Sequence, residues 1–423
     1  MTDKTYKNKY LIKVKEVQKA RERLLDVIVD TPLMCDLLLS ERFNSNILLK
    51  REDLQIVRSY KIRGAFNKIS TLPANKLKNG VVCASAGNHA QGVAYSCRRL
   101  GIKSTIFMPA PTPKQKITQV KFFGRSNVEI ILTGDTYDDA FIAAQEYCQL
   151  HGSEFIHPFD DLQIIEGQAT IALDILADTK AHIDYLFIPI GGGGLAAGVG
   201  SVFKELSPDT KIIGVEPLGA ASMKLSLEKG EVVKLDSIDK FVDGAAVQKV
   251  GNITFDICRL VLDDVITIPE GKVCTTILQL YNEEAIVVEP AGALSISALD
   301  YYKEKIKDKT AVCIVSGSNN DITRTEEIRE RSLLFEGLKH YFIVRFSQRP
   351  GAFREFLENI LGPNDDITYF QYSKKNNREQ GPAIVGIELH KKEDFEPLYQ
   401  RLKSSNMLQE YLNEKPDLFE FLI

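Results

Sequence analysis

No Cys-x-x-Cys pair and no histidine cluster occur in this 423-residue chain, whose seven cysteines lie scattered. That spacing argues against a structural zinc and reads as the thiols of a reduced, cytoplasmic protein. Long blocks of like charge are also missing, and the formal net charge is only −4. Nothing therefore marks a nucleic-acid footprint. No apolar stretch is long enough to span a bilayer, so no membrane is expected as a partner. The first ten residues are polar and rich in Lys and Tyr, which is not the pattern of a secretory signal. The single sequon, Asn252-Ile253-Thr254, reads as chance in a cytoplasmic chain. What is present is ordinary for a soluble globular protein: 44% hydrophobic and 26% charged residues. The chain is too long for one core and implies two or three domains.

Periodicity divides it further. An amphipathic helix covers 11–29 and ends at Thr31-Pro32. A strand at Ile47–Lys50 then leads into a loop around Lys61. Apolar runs at 81–84, 104–108, 128–132 and 154–157 read as strands, with helical periodicity at 89–100, 114–123 and 136–150. A second series places strands at 185–190, 211–215, 265–268 and 310–315, and helices at 195–206, 220–229, 271–283 and 292–307. Such alternation implies α/β architecture with parallel sheets and helices on both faces. Two series imply two lobes, with a site in the crevice at the carboxyl ends of the strands. The pattern changes near 335–339. Beyond it, strands at 341–346, 367–373 and 383–389 alternate with helices at 352–361 and 393–403, followed by a polar tail. This β-α-β-β-α order is an α+β, ferredoxin-like unit.

Four stretches carry candidate chemistry. The first is Ser59-Tyr60-Lys61-Ile62-Arg63-Gly64-Ala65. A free lysine ammonium has a pKa of ~10.4 and is a poor nucleophile at neutral pH. Apolar neighbours, with Arg58 and Arg63 as nearby cations, are expected to depress that value, as a Schiff-base lysine requires. A lysine that merely opens a solvated helix is the alternative. The second stretch, Ser85-Ala86-Gly87-Asn88-His89, follows a strand and opens a helix, where exposed amides and hydroxyls suit a carboxylate. Taken alone, a simple N-cap turn is the favoured reading of this stretch. The third, Gly191-Gly192-Gly193-Gly194-Leu195, follows the strand at 185–190 and also opens a helix. Its amides can close around an oxyanion. No Lys-Ser/Thr pair follows, so it is not a nucleotide P-loop. A dinucleotide site remains open, with Glu216 near the place of a ribose-binding acid, and so does a structural turn. The fourth, Ser316-Gly317-Ser318-Asn319, ends the strand 310–315 in the same topological position. Asp243-Gly244-Ala245-Ala246 is a weaker signal, a loop that can equally be structural.

In this order the four stretches resemble fold-type II pyridoxal-phosphate enzymes, and among them the threonine dehydratases, over residues 1 to about 335. The resemblance implies a two-lobed catalytic domain at 1–335, its smaller lobe at about 50–155 inserted in the larger. Lys61 would bind pyridoxal 5'-phosphate covalently and act as the base. The amides of Gly191, Gly192, Gly193, Gly194 and Leu195 would hold the cofactor phosphate, Asn88 its ring hydroxyl and Ser316 its ring nitrogen. Ser85, Gly87, Asn88 and His89 would meet the substrate carboxylate. Tyr60 replaces the phenylalanine common beside this lysine. Ala86 stands where related racemases carry a serine acid, which disfavours racemisation. Ser222 replaces an aspartate of the related divalent-metal site, so no metal is expected.

Residues 339–423 resemble the ACT-like regulatory domain of the biosynthetic dehydratases, present in one copy. The resemblance therefore implies deamination of L-threonine to 2-oxobutanoate and ammonia for isoleucine formation. It also implies isoleucine as inhibitor, valine as its opponent, and a homo-oligomer, with a tetramer favoured. A serine-preferring dehydratase and a catalytically silent amino-acid sensor are the alternatives.

Overall fold

The computed structural model describes residues 11–372 and 379–422. It divides into two compact units between Ile322 and Thr323. The strands of the first unit, in chain order, are β1 (Leu33–Cys35), β2 (Asn46–Arg51), β3 (Val81–Ala84), β4 (Ser104–Met108), β5 (Val128–Leu132), β6 (Glu154–Phe155), β7 (Tyr185–Pro189), β8 (Lys211–Pro217), β9 (Asp264–Ile268) and β10 (Thr310–Val315). They form a six-stranded sheet in the order β1-β2-β10-β7-β8-β9 and a four-stranded sheet in the order β5-β4-β3-β6. Every pairing is parallel except β1 with β2. All four residues of β3 and all five of β4 are buried. That is why Val81-Val82-Cys83-Ala84 is a continuous small-apolar run: helices cover the sheet on both faces.

The α/β reading holds, but it missed the element that joins the two sheets. The Leu162–Asp178 helix is the longest of the described helices, capped by Asp161, whose side chain accepts from the Gln163 and Ile164 amides. Its buried residues (among them Ile164, Ile165, Ala169, Ile171, Ala172 and Ile175) lie all round its axis. A helix that is apolar on every side has no amphipathic stripe to detect. It crosses the Lys61–Ser70 helix at glycines on both sides. A Cβ at Gly167 would lie 2.6 Å from the Arg63 carbonyl and from Gly64 Cα, and one at Gly64 would lie 2.8 Å from the Ile164 carbonyl. Backbones that close leave no room for a methyl group.

In the second unit, β11 (Lys339–Ser347), β12 (Asp366–Tyr372), β13 (Gln380–Glu388) and β14 (Leu408–Tyr411) form an antiparallel sheet in the order β12-β13-β11-β14. This is the ferredoxin-like strand order. Phe342, Val344 and Phe346 alternate along β11 into one core with Phe356, Leu398 and Leu402 from the Ala352–Asn359 and Phe395–Ser404 helices. Two expectations need correction. The polar tail contains β14, which pairs with β11, and the Pro416–Leu422 helix. Leu408-Gln409-Glu410-Tyr411, three half-buried residues and an exposed Gln409, is too short and polar to stand out, since an edge strand needs one apolar face only. The Thr325–Glu336 helix belongs to this unit and packs on β11, so the structural division lies ahead of the change in pattern at 335–339. Of the strand expected at 367–373, residue 373 lies outside the described residues.

The helix crossing yields a direct prediction. Gly167→Ala should destabilise the first unit by about 1–3 kcal/mol, because the added methyl forces two backbones apart. The midpoint of denaturant unfolding measures this, and an unchanged midpoint would contradict the close approach.

Candidate active site

Lys61 is the first residue of its helix, and its position is set from the end of β10. Arg58 adopts the left-handed conformation at φ 57, which turns the chain so that Ser59 pairs with Gly317. The Tyr60 amide then donates to the Ser316 carbonyl at 3.2 Å. Lys61 Nζ donates to the Pro158 carbonyl at 3.0 Å. Burial lowers its pKa to about 8, opposed by the charge of Glu289.

Here the expectation about neighbouring cations fails. Arg58 is exposed. Arg63 is fully buried, but its guanidinium is held by Glu52 at 2.7 and 2.8 Å and by Asp174 at 2.7 Å. Two carboxylates neutralise its charge, so desolvation alone accounts for the shift on Lys61.

The tetraglycine lies between β7 and the Gly194–Leu206 helix. Gly193 sits at φ 91, and a Cβ on Gly192 would lie 2.2 Å from the Phe159 ring. The Gly192 carbonyl accepts from Thr254 Oγ1 at 2.6 Å. Among the described residues, the Gly191, Gly192 and Gly193 amides donate to no backbone carbonyl. Unspent amides at the start of a helix form an anion cradle. The dinucleotide alternative loses its acid. Glu216 is buried, and its carboxylate caps the Ser222–Lys229 helix through the Met223 and Lys224 amides at 2.7 and 2.8 Å. Burial pushes its pKa up to about 7.

Ser85 to His89 follow β3. Ser85 Oγ accepts from the Gly87 amide at 3.2 Å, and Asn88 opens the Asn88–Leu100 helix. Asn88 Nδ2 donates to Glu289 Oε1 at 2.6 Å, while its Oδ1 accepts from Asn319 Nδ2 at 2.6 Å. One Nδ2 hydrogen remains for a ligand. His89 Nε2 lies 2.9 Å from the Ile156 carbonyl, so Nε2 carries the proton. Burial, with the charge of Lys61, pushes its pKa down to about 3. The ring is committed to that carbonyl, and the backbone amide is what His89 can offer a carboxylate. Ser316, the first residue after β10, is buried.

Sequence reasoning missed three participants. Glu289 caps the Pro290–Ser297 helix and is buried against Asn88. A lone acid between Val287-Val288 and Pro290-Ala291 was its only signal. Asn319 lay inside a recognised stretch but had no assigned task. The third is the strap from His157 to Asp160. It supplies the Pro158 carbonyl and the Phe159 ring, and Asp160 caps the Asn252–Val261 helix through the Ile253 and Thr254 amides.

Residues 24–317 match the family model of pyridoxal-phosphate dependent enzymes, and residues 330–422 match that of the C-terminal regulatory domain of threonine dehydratase. The chain is 57% identical over 412 residues to the L-threonine dehydratase biosynthetic IlvA of Halalkalibacterium halodurans, covering 97% of this chain and 99% of that one. The chain belongs to the biosynthetic threonine dehydratases. The protein of the same name from Staphylococcus aureus is 51% identical over 419 residues, 98% of this chain and 99% of its own. Among solved structures, the processed form of threonine deaminase isoform 2 from Solanum lycopersicum superposes with a TM-score of 0.72 at 41% identity. It covers 76% of this chain and 95% of its own. Maize serine racemase superposes at 0.71 with 28% identity, covering 77% of this chain and 98% of its own.

The residues of this dehydratase fit the family's cofactor, pyridoxal phosphate. A side chain at Gly192 would collide with the Phe159 ring, so the glycine run and the ring keep their places only with glycine there. Ser59 Oγ and Asn319 Oδ1 are buried without hydrogen-bond partners close to Lys61 and Asn88 in sequence or contact. Gly192→Ala should weaken cofactor binding at least about tenfold, because Phe159 and the cradle cannot both keep their places. Titration of the full-length protein with pyridoxal phosphate, followed by absorbance, checks this. Equal affinity in the variant would remove the cradle from consideration.

Proposed function

We propose that the protein deaminates L-threonine to 2-oxobutanoate and ammonia, the committed step toward isoleucine, under feedback control by its second unit. Membership of the biosynthetic dehydratases supports this reading. So does the desolvated amine of Lys61, whose pKa burial lowers to about 8, with His89 kept neutral by burial. The amides of Gly191, Gly192, Gly193, Gly194 and Leu195 would hold the cofactor phosphate, Asn88 the ring hydroxyl and Ser316 the ring nitrogen, and Lys61 would supply the covalent link. When bound, pyridoxal phosphate supplies a conjugated acceptor for the electron pair left at Cα.

The chain's own residues do the rest. Lys61 Nζ, with a pKa near 8, is neutral often enough near physiological pH to take the Cα proton and basic enough to keep it. Ser85, Gly87, Asn88 and the His89 amide orient the substrate carboxylate at the start of the Asn88–Leu100 helix. Ser316 would offer the ring nitrogen a neutral hydroxyl, which would leave the electron sink weak and favour prompt loss of the β-hydroxyl. Ala86 offers no proton on the face opposite Lys61, so the proton is not returned with inverted configuration.

Lys61→Ala should keep the fold and lose turnover by several orders of magnitude. Borohydride treatment of the loaded wild type should fix the cofactor on the Lys61 peptide in mass spectrometry. Recovery on another lysine would refute the assignment.

The second unit binds the effectors, isoleucine as inhibitor and valine as its opponent. A ligand there must favour one state of the enzyme by a coupling of ~1–3 kcal/mol. A homo-oligomer, a tetramer by preference, carries the sigmoidal response. All seven cysteines are free, and no described helix is long and apolar enough to cross a membrane, which fits a cytoplasmic location. Truncation after Ile322, the end of the first unit, should leave dehydratase activity and abolish the isoleucine response. A truncated enzyme inhibited at the same isoleucine concentration would place the effector site in the first unit.

A further inference from the structure

One titratable side chain at this site, the half-buried His157, has no task in the chemistry above. It opens the strap that runs from β6 to the Leu162–Asp178 helix. Pro158 has no N–H to give. Among the described residues, the Phe159 and Asp160 amides donate to no backbone carbonyl. Both meet one atom instead: His157 Nδ1 accepts from the Phe159 amide at 3.2 Å and from the Asp160 amide at 2.7 Å. Backbone donors held away from water need an acceptor, so this nitrogen sets the shape of the turn. The imidazole also stands edge-on to the Phe159 ring, with centroids 4.7 Å apart and planes at 89°.

Three parts of the site hang on that turn. The Pro158 carbonyl accepts from Lys61 Nζ at 3.0 Å. The Phe159 ring fills the space that a side chain on Gly192 would take, and a Cβ on Gly194 would lie 3.1 Å from the Phe159 carbonyl. Asp160 takes the Asn252, Ile253 and Thr254 amides at 3.0, 2.9 and 3.1 Å, and Thr254 Oγ1 returns to the Gly192 carbonyl at 2.6 Å. The ends of the strap are held separately. The Ile156 amide donates to the Val82 carbonyl at 2.8 Å, and Asp161 caps the helix that follows. The middle of the strap therefore depends on His157.

The charges around the imidazole leave it neutral. Asp160 and Asp161 act on it from the strap, Asp161 being paired with Lys68 at 2.6 Å, while Lys61 and the neutral His89 act from their helices. Burial outweighs the two acids and lowers its pKa to about 4. Near neutral pH the ring keeps one proton, and with Nδ1 accepting, that proton sits on Nε2.

We propose that His157 is a positioning residue: by accepting the Phe159 and Asp160 amides on Nδ1, it fixes where the Pro158 carbonyl holds the Lys61 amine and where Phe159 closes on the glycine run. The inference rests on Lys61 as the reactive amine and on the glycine run as the cofactor cradle. What the strap needs is an acceptor at the place of Nδ1; the rest of the imidazole is dispensable.

The test sets hydrogen bonding against shape. In His157→Asn, Oδ1 stands near the place of Nδ1 and can accept the same amides, whereas His157→Phe keeps a planar ring without an acceptor. Full-length protein is freed of cofactor and titrated with pyridoxal phosphate, followed by absorbance. His157→Phe should bind at least about tenfold more weakly, because two amides lose their acceptor. His157→Asn should recover to within about threefold of the wild type. A role in packing alone predicts the opposite order, since phenylalanine fills the space better than asparagine. Wild-type affinity in His157→Phe, or an asparagine variant no better than the phenylalanine one, overturns the proposal. A second measurement does not depend on any variant folding. In the nitrogen NMR spectrum of cofactor-free wild type with isotope-labelled histidine, the imidazole beside the Phe159 ring should carry its proton on Nε2 at neutral pH. A proton on Nδ1 overturns the proposal. The expected order of affinities in a protein that does not deaminate threonine would uphold the positioning role and sink the functional reading. Equal affinities of all three proteins, with the wild type active, would do the reverse.

Discussion

The catalytic unit depends on the crossing of the Lys61–Ser70 and Leu162–Asp178 helices, closed by Gly64 against Gly167 and locked by Arg63. Fully buried Arg63 reaches Glu52, next to the larger sheet, and Asp174, on the long helix. A lone guanidinium could not be buried there, because removing one partner of such a group leaves an uncompensated charge worth ~3–5 kcal/mol. Two carboxylates and the Thr170 hydroxyl at 3.0 Å satisfy it, so its position is fixed by electrostatics rather than by packing alone. Lys61 lies two residues away on the same helix, and any slip in the crossing moves its amine.

Around Lys61 the protein arranges charge by desolvation more than by direct pairing. The lysine loses part of its proton affinity to burial, His89 is kept neutral, and Glu289 is pushed toward neutrality while two amide donors hold it ionised. Such opposed shifts in one crevice are what proton transfer near neutral pH requires. The glycine run offers unspent amides at a helix start, the arrangement found at anion sites generally. The strap from His157 to Asp160 ties these parts together. It contacts Lys61 through Pro158, covers Gly192 with Phe159 and caps the Asn252–Val261 helix with Asp160.

Regulation draws on different physics. The second unit has its own core on one face of an antiparallel sheet, with Phe342, Phe346 and Phe356 fully or nearly buried. That core draws on none of the catalytic residues. Control then requires only that the ligand prefer one of two states, whatever the distance to Lys61.

Local order decided what the sequence could reveal. Val81–Ala84 and Thr310–Val315 announce buried parallel strands because both faces are covered, and the glycine run and the Lys61 stretch mark their chemistry through residue types that few other roles require. Those features fix the α/β class, the cofactor cradle and the regulatory unit without reference to anything distant. Three other features came only from the tertiary structure. The Leu162–Asp178 helix is apolar all round, so no period betrays it. Arg63 beside Lys61 looks like a nearby cation, and only the fold brings Glu52 and Asp174 to cancel it. Glu289 stands 201 residues from Asn88, and nothing in the local sequence of either predicts the 2.6 Å bond between them. Spacing along the chain encodes faces and turns, whereas the ionisation of a buried group depends on which distant charges the fold sets against it.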